Sequence, residues 1–146
     1  MRELRAVETA TPAPVMIAAG GPRSRRLAGR LADIVTLAHN PLAAHADIAR
    51  MITEIAEAAG DRSAGVEYHL NVIVVGDLIP RQVVPLVGDD LHALTAADSL
   101  FVLRGTPQQM ADDIQRRRDE FGHSYVTVNH LFLEQFAPVV ELLHGR

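Results

Sequence analysis

The chain has 146 residues, 48% apolar and 22% charged, with a formal net charge of -4 and no cysteine. That length and balance exclude disordered and collagen-like chains and suit one domain with a full core, so residues 1–146 are taken as a single domain. The missing thiols exclude disulfides, thiolate metal sites and cysteine nucleophiles. The one dense basic run, Arg116-Arg117-Arg118, is flanked by Asp112-Asp113 and Asp119-Glu120, which reads as a solvated, salt-bridged helix face and not a nucleic-acid patch. The start, Met1-Arg2-Glu3-Leu4-Arg5, leads into polar residues, and no stretch reaches the roughly 18 apolar residues of a membrane span. A cytoplasmic location with no membrane or nucleic-acid partner is expected.

The first strand is predicted in Pro14-Val15-Met16-Ile17-Ala18-Ala19, where an apolar run stops at Gly20-Gly21 and helix-forming residues follow. In Arg25 to Ala32, Leu27, Ala28, Leu31 and Ala32 share one helical face and Arg25, Arg26 and Arg30 point outward. Ile34 to Ala38 is a second unalternated run, suited to a strand buried on both faces of a parallel sheet. From Ala44 to Ala59, Ile48, Ile52, Ile55 and Ala59 recur at helical spacing, and Gly60 stands where a C-cap belongs.

Tyr68 to Val75 predicts the third strand, closed by Gly76-Asp77. Pro80, Pro85 and Gly88 then break any long helix, so Leu78 to Arg104 is expected to be an irregular insertion with short helices at Asp90 to Leu94 and Ala96 to Leu100. Thr106-Pro107-Gln108-Gln109 carries a capping box and a proline suited to the first helical position, which predicts a helix from Pro107 to Phe121 ended by Gly122. A fourth strand follows at Tyr125 to Asn129. The last helix uses Leu133, Phe136, Val140 and Leu143, with Pro138 tolerated near its first turns. Strands alternating with helices argue for an α/β fold of parallel strands joined by right-handed crossovers.

The strongest functional feature is Ala18-Ala19-Gly20-Gly21-Pro22-Arg23-Ser24. A glycine turn between a strand end and a helix start lets bare amides approach an anion, and the helix dipole favours phosphate there. Arg23 and Ser24 can add polar contacts; the bland alternative is a plain tight turn. The seven histidines, His39, His45, His69, His92, His123, His130 and His144, form no compact ligand spacing, so no metal site is expected. His39 and His130 fall near strand ends and either touch a ligand or, the favoured reading, sit in exposed loops. Asn129 either reads a ring edge or caps the following turn, and Asp33 reads as a turn residue.

Ile17-Ala18-Ala19-Gly20-Gly21-Pro22, then Leu27-Ala28-Gly29-Arg30 and Ala32-Asp33, resemble the fifth-strand region of luciferase-like monooxygenases, nearest to the actinobacterial type that uses the deazaflavin coenzyme F420. Leu103-Arg104-Gly105-Thr106-Pro107-Gln108-Gln109-Met110 and Phe136-Ala137-Pro138-Val139-Val140-Glu141-Leu142-Leu143 are similar to the end of those proteins. The resemblance implies the C-terminal half of a (β/α)8 TIM-type barrel with about four parallel strands, each followed by a helix. It implies F420 or FMN as cofactor and assigns Ala19, Gly20, Gly21, Pro22 and Arg23, with Ala38 and His39, to cofactor binding. Where some members of the family carry small hydroxylated residues and a lysine after the sixth strand, this chain has Ala38-His39-Asn40-Pro41.

By that resemblance the chain starts just before the fifth strand, so no catalytic residue is assigned. The expected function is a flavin- or F420-dependent oxidoreductase segment acting on a small-molecule substrate by hydride transfer. Partner strands are then expected from a homo-oligomer or a separately encoded N-terminal half. The alternatives are a non-catalytic truncated half-barrel with a structural or oligomerising role, and a flavodoxin-like module binding a phosphate at Gly20-Gly21.

Overall fold

The computed structural model of the chain describes residues 12–145; the polar start at Met1 to Arg5 lies outside them. Its elements run β1 (Met16–Ala19), α1 (Pro22–Leu31), β2 (Ile34–Leu37), α2 (His45–Ala59), a 3-10 turn (Gly60–Gly65), β3 (Glu67–Val72), β4 (Val74–Val75), α3 (Val84–Val87), α4 (Leu91–Ala96), β5 (Val102–Leu103), α5 (Pro107–Phe121), β6 (His123–Val128), a 3-10 turn (His130–Phe132) and α6 (Leu133–Leu143). A four-stranded sheet has the order β1-β2-β3-β6, all parallel, and β4 pairs with β5 in a small second ladder. This is the α/β alternation expected, with helices following strands as parallel crossovers require.

The strands differ from expectation in their burial. Ile17, Ala19, Val35, Leu37 and Leu70 join the core, but their alternating neighbours Met16, Ala18, Asn71 and Tyr125 are exposed, Met16 by 44% and Tyr125 by 40%. The sheet is therefore buried on its helix face, and its other face is open among the described residues. Period-two alternation places Ala18, Thr36, His69 and Tyr125 in one register row across all four strands of that open face.

Helix α1 departs from its predicted apolar stripe. Leu27 is 49% exposed, while Ala28, Gly29 and Ala32 are buried and Arg25 turns inward to bond Glu54 at 2.7 Å. The cause is close packing: a Cβ at Gly29 would lie 2.4 Å from the Ile55 carbonyl oxygen and 2.8 Å from the Ala58 side chain. Only the smallest residues let the two backbones approach this far, so the leucine is displaced from the contact.

The predicted third strand is observed in two pieces. At its break the Phe101 carbonyl accepts from both Ile73 N (2.9 Å) and Val74 N (3.0 Å), and the chain exchanges one neighbouring strand for β5. The insertion contains the short helix expected near residue 90, with Asp90 accepting from Ala93 N at 2.9 Å as its cap. A helix over Ala96 to Leu100 does not form; Asp98 takes a positive φ of 47° and the chain turns into β5.

Helix α5 has its expected bounds, both arms of the Thr106/Gln109 capping box and Gly122 in the left-handed region at φ 76°. Its basic run, however, is not uniformly solvated. Arg116 is exposed and pairs with Asp98, Asp113 and Glu120, whereas Arg117 is 1% exposed. Arg117 donates to the carbonyls of Leu100 and Val102, each at 2.8 Å, and pairs with Asp113 at 2.7 Å. It thereby fastens the strand before α5 onto the helix. Burial pulls its pKa below the ordinary arginine value, with Asp113 opposing.

Removing a buried, hydrogen-bonded charge strands its partners, so Arg117→Met is expected to lower unfolding free energy by about 3–5 kcal/mol. Arg116→Met, which severs exposed pairs, should lower it by about 1 kcal/mol. Urea unfolding of the two variants beside the parent chain checks the contrast.

Candidate functional site

Parallel strands place every strand-to-helix turn at one end of the sheet, which is where α/β folds bind ligands. At the end of β1, Gly21 is the N-cap of α1 with extended backbone (φ -80°, ψ 164°), no side chain caps the helix, and Pro22 takes its first turn. The first-turn amides of Arg23 and Ser24 precede any intrahelical partner. A Cβ on Gly20 would sit 2.8 Å from the Ala38 carbonyl oxygen, while nothing lies within 4 Å of the same position on Gly21. Ala38 N donates to Ala19 O at 3.0 Å. The structure thus brings Ala19, Gly20 and Ala38 into contact and leaves Gly21, Pro22 and Arg23 exposed beside them.

The polar residues of the turn divide their work differently from expectation. Ser24 Oγ donates to Gly21 O (2.9 Å) and accepts from Gly20 N (3.1 Å), so its hydroxyl is spent within the turn. Arg25 also anchors the turn, donating to Gly20 O as well as to Glu54. Arg23 has no partner among the described residues.

His39 is half-buried and joins a different feature. Its ring stacks on Phe101 with centroids 4.6 Å apart and planes 4° from parallel, and Nδ1 bonds Asn40 O at 2.8 Å. Burial lowers its pKa, with the Asn40 bond opposing. Together with Thr36, Ala38, His69, Asn71 and Phe101 it lines a cavity of about 250 Å³. Ala38 lines this cavity and also packs against Gly20, so the turn adjoins the cavity at that residue. His69 bridges Thr36 Oγ1 (2.5 Å) and Thr127 Oγ1 (2.7 Å), and burial lowers its pKa against the opposing charge of Glu67. His123, 3% exposed, also borders this cavity and carries an Nδ1 with no partner.

Other candidates take structural parts. Asn129 Oδ1 accepts from Leu131 N at 3.0 Å, the capping alternative, and His130 is exposed. Asp33 accepts from Val15 N at 2.8 Å and faces Arg62. Among the described residues no group of three histidines and carboxylates could hold a metal ion, and no helix is long and apolar enough to cross a membrane. Sequence reasoning missed Thr36, His69, Asn71 and Phe101. The available signal was polar residues two apart inside apolar strands, His69 and Asn71 above all.

Fold and cavity place the chain among α/β proteins of the (β/α)8-barrel type, with the candidate site at the C-terminal strand ends. The family profile described as luciferase-like monooxygenase matches residues 2–78, more than half of the chain, and the chain belongs to that family. Three solved structures share the fold. An F420-dependent secondary alcohol dehydrogenase in complex with an F420-acetone adduct superposes with a TM-score of 0.63 at 16% identity, over 92% of this chain and 50% of its own. EDTA monooxygenase from Chelativorans sp. BNC1 gives 0.58 at 16% identity, over 91% and 45%. The coenzyme F420 dependent tetrahydromethanopterin reductase from Methanopyrus kandleri gives 0.57 at 18% identity, over 87% and 48%. The chain therefore spans about half the length of these structures. No curated protein matches it.

Burial, then the nearby Arg117, His39 and His69, hold the His123 pKa down to about 4 from an ordinary 6.5. A depressed histidine pKa means the unfolded chain takes up the proton first, so stability is full above pH 6.5 and falls as pH drops toward 4. The loss is on the order of 3 kcal/mol. In His123→Gln the slope of unfolding free energy against pH across that window should be shallower, as denaturant melts at stepped pH will read.

Proposed function

We propose that this chain forms the cofactor-phosphate side of an F420- or FMN-dependent oxidoreductase of the luciferase-like family, nearest in sequence to the F420-using actinobacterial type. The observation that carries the reading is the Gly20-Gly21 turn: Gly20 is packed against Ala38, and Gly21 opens the N-terminus of α1 to empty space with no side-chain cap. An anion fits such a cradle, since unpaired amides and the helix dipole both favour negative charge. Arg23, exposed and unpaired among the described residues, supplies a cation at its rim.

When bound, F420 or FMN supplies the ring that accepts and donates hydride. The chain's own residues bind and orient: Gly20, Gly21, Pro22 and Arg23 hold the phosphate, and Ala38 passes the ligand toward the cavity walled by His39 and Phe101. Strands covering the open sheet face come, on this reading, from a second copy or a complementary N-terminal half, and a small molecule is the substrate. The expected compartment is the cytoplasm. The exposed Met16 and Tyr125 on that face also suit the competing reading, a structural half-barrel without turnover.

Fluorescence titration with oxidised F420 and with FMN, with mass followed by light scattering, tests the proposal. Saturable binding is expected, weakened at least about tenfold by Gly21→Val, a loss of about 1.4 kcal/mol. The melting temperature should fall by no more than a few degrees, the cost of valine in place of glycine at an N-cap, because no atom lies within 4 Å of that Cβ. A folded chain that binds neither cofactor, or a Gly21→Val variant that binds like the parent, would refute it.

A further inference from the structure

The hydrogen-bond row on the open face of the sheet has a direction. With the Asn71 amide turned so that its Oδ1 faces Thr127 Oγ1 at 3.3 Å, the hydroxyl donates to it and its lone pair receives His69 Nε2–H at 2.7 Å, an assignment of the tautomer that follows from that amide orientation. His69 Nδ1 is then bare and accepts the Thr36 hydroxyl at 2.5 Å. Three strands contribute, with Thr36 opposite His69 and Asn71 opposite Thr127 in the parallel registers. The row leaves one set of donors unused: the Asn71 amide NH2, on an exposed residue that borders the cavity and has no partner for that nitrogen among the described residues.

We propose that His69 is a positioning residue whose neutral ring, bridging Thr36 and Thr127, fixes Asn71 with its NH2 free to donate to a carbonyl oxygen on a planar heteroaromatic ring bound in this cavity. The ring's identity rests on the cofactor reading; the direction of the row does not. Two further observations point to a flat ligand. The His39-Phe101 pair, stacked face to face with parallel planes, lies at the cavity wall, and Ala38 borders both the cavity and the Gly20 turn. The ring-edge contact considered for Asn129 thus passes to Asn71, since Asn129 is consumed as a cap.

Charge on His69 would turn round only the Thr36 link, whose hydroxyl would then accept from Nδ1–H, while Nε2–H would still donate to Thr127 and hold Asn71 in place. The groups around it are Glu67 on the same strand, bonded to Ser124 at 2.9 Å, the Tyr125 ring 5.0 Å away on β6, Thr36 on β2, and His39 and His123 at the cavity. Burial keeps the ring neutral against the pull of Glu67.

Nuclear magnetic resonance on the 15N-labelled chain tests the proposal, with FMN and phosphate-free riboflavin as probes. His69 is expected as a single Nε2–H tautomer near pH 7, and both probes should shift the Asn71 side-chain amide signals. His69→Gln, whose amide can accept from Thr36 and donate to Thr127, should retain riboflavin affinity. His69→Leu should lose about five- to tenfold, the scale of one neutral hydrogen bond. An Nδ1–H tautomer, Asn71 signals that neither probe moves, or equal behaviour of the Gln and Leu variants would overturn the inference. The two readings fail separately: FMN binding that leaves Asn71 unmoved removes this one alone, and riboflavin shifts at Asn71 with Gly21→Val harmless to FMN remove the phosphate turn alone.

Discussion

Parallel pairing is the constraint from which the rest of this molecule follows. Strands β1, β2, β3 and β6 all run the same way, so each must be left through a crossover, and every strand C-terminus faces one end of the sheet. Gly20, Ala38, Asn71 and the Ile73 break share that end for this reason, though they are far apart in the chain. Phe101 reaches it because β5 pairs with β4 beyond the break.

Close backbone approach is the second theme. Gly29 lets α1 rest on the Ile55 carbonyl, and Gly20 lets the end of β1 rest on Ala38. Neither glycine is needed for a positive φ; both are needed because a Cβ would overlap backbone that cannot move aside. The first contact seats the helix against its neighbour. The second sets the position from which that helix opens its N-terminus toward the cavity.

Three buried ionisable groups show how the interior tolerates polarity. Arg117 keeps its charge because Asp113 and two carbonyls surround it, and in return it ties the irregular insertion to α5. His69 and His123 sit near the cavity with pKa values lowered by burial. A neutral imidazole both donates and accepts, which is how His69 links Thr36 on one side to Thr127 and Asn71 on the other.

Local chemistry made much of this legible in the sequence. The α5 bounds follow from Thr106, Pro107, Gln109 and Gly122, whose effects act within a few residues, and the Gly20-Gly21 turn was visible because a strand end, two glycines and a proline are contiguous. The residues that were misread depend on partners far along the chain. Arg117 looks like its neighbours Arg116 and Arg118 until the carbonyls of Leu100 and Val102 arrive from another element. Leu27 looks like core until Gly29 brings α1 too close for it. His69, Asn71, Thr36 and Thr127 become one row only through strand register, and His39 meets Phe101 only through the β4-β5 pairing. The sequence by itself determined the strands and helices up to Ala59 and the capped helix at Pro107 to Phe121, because those preferences are short-range, but not the break at Ile73, the loss of a helix over Ala96 to Leu100 or the strand at Val102–Leu103. Tertiary structure alone decided which polar side chains are buried together and where the cavity lies, because those are set by contacts between residues that only the folded sheet makes neighbours.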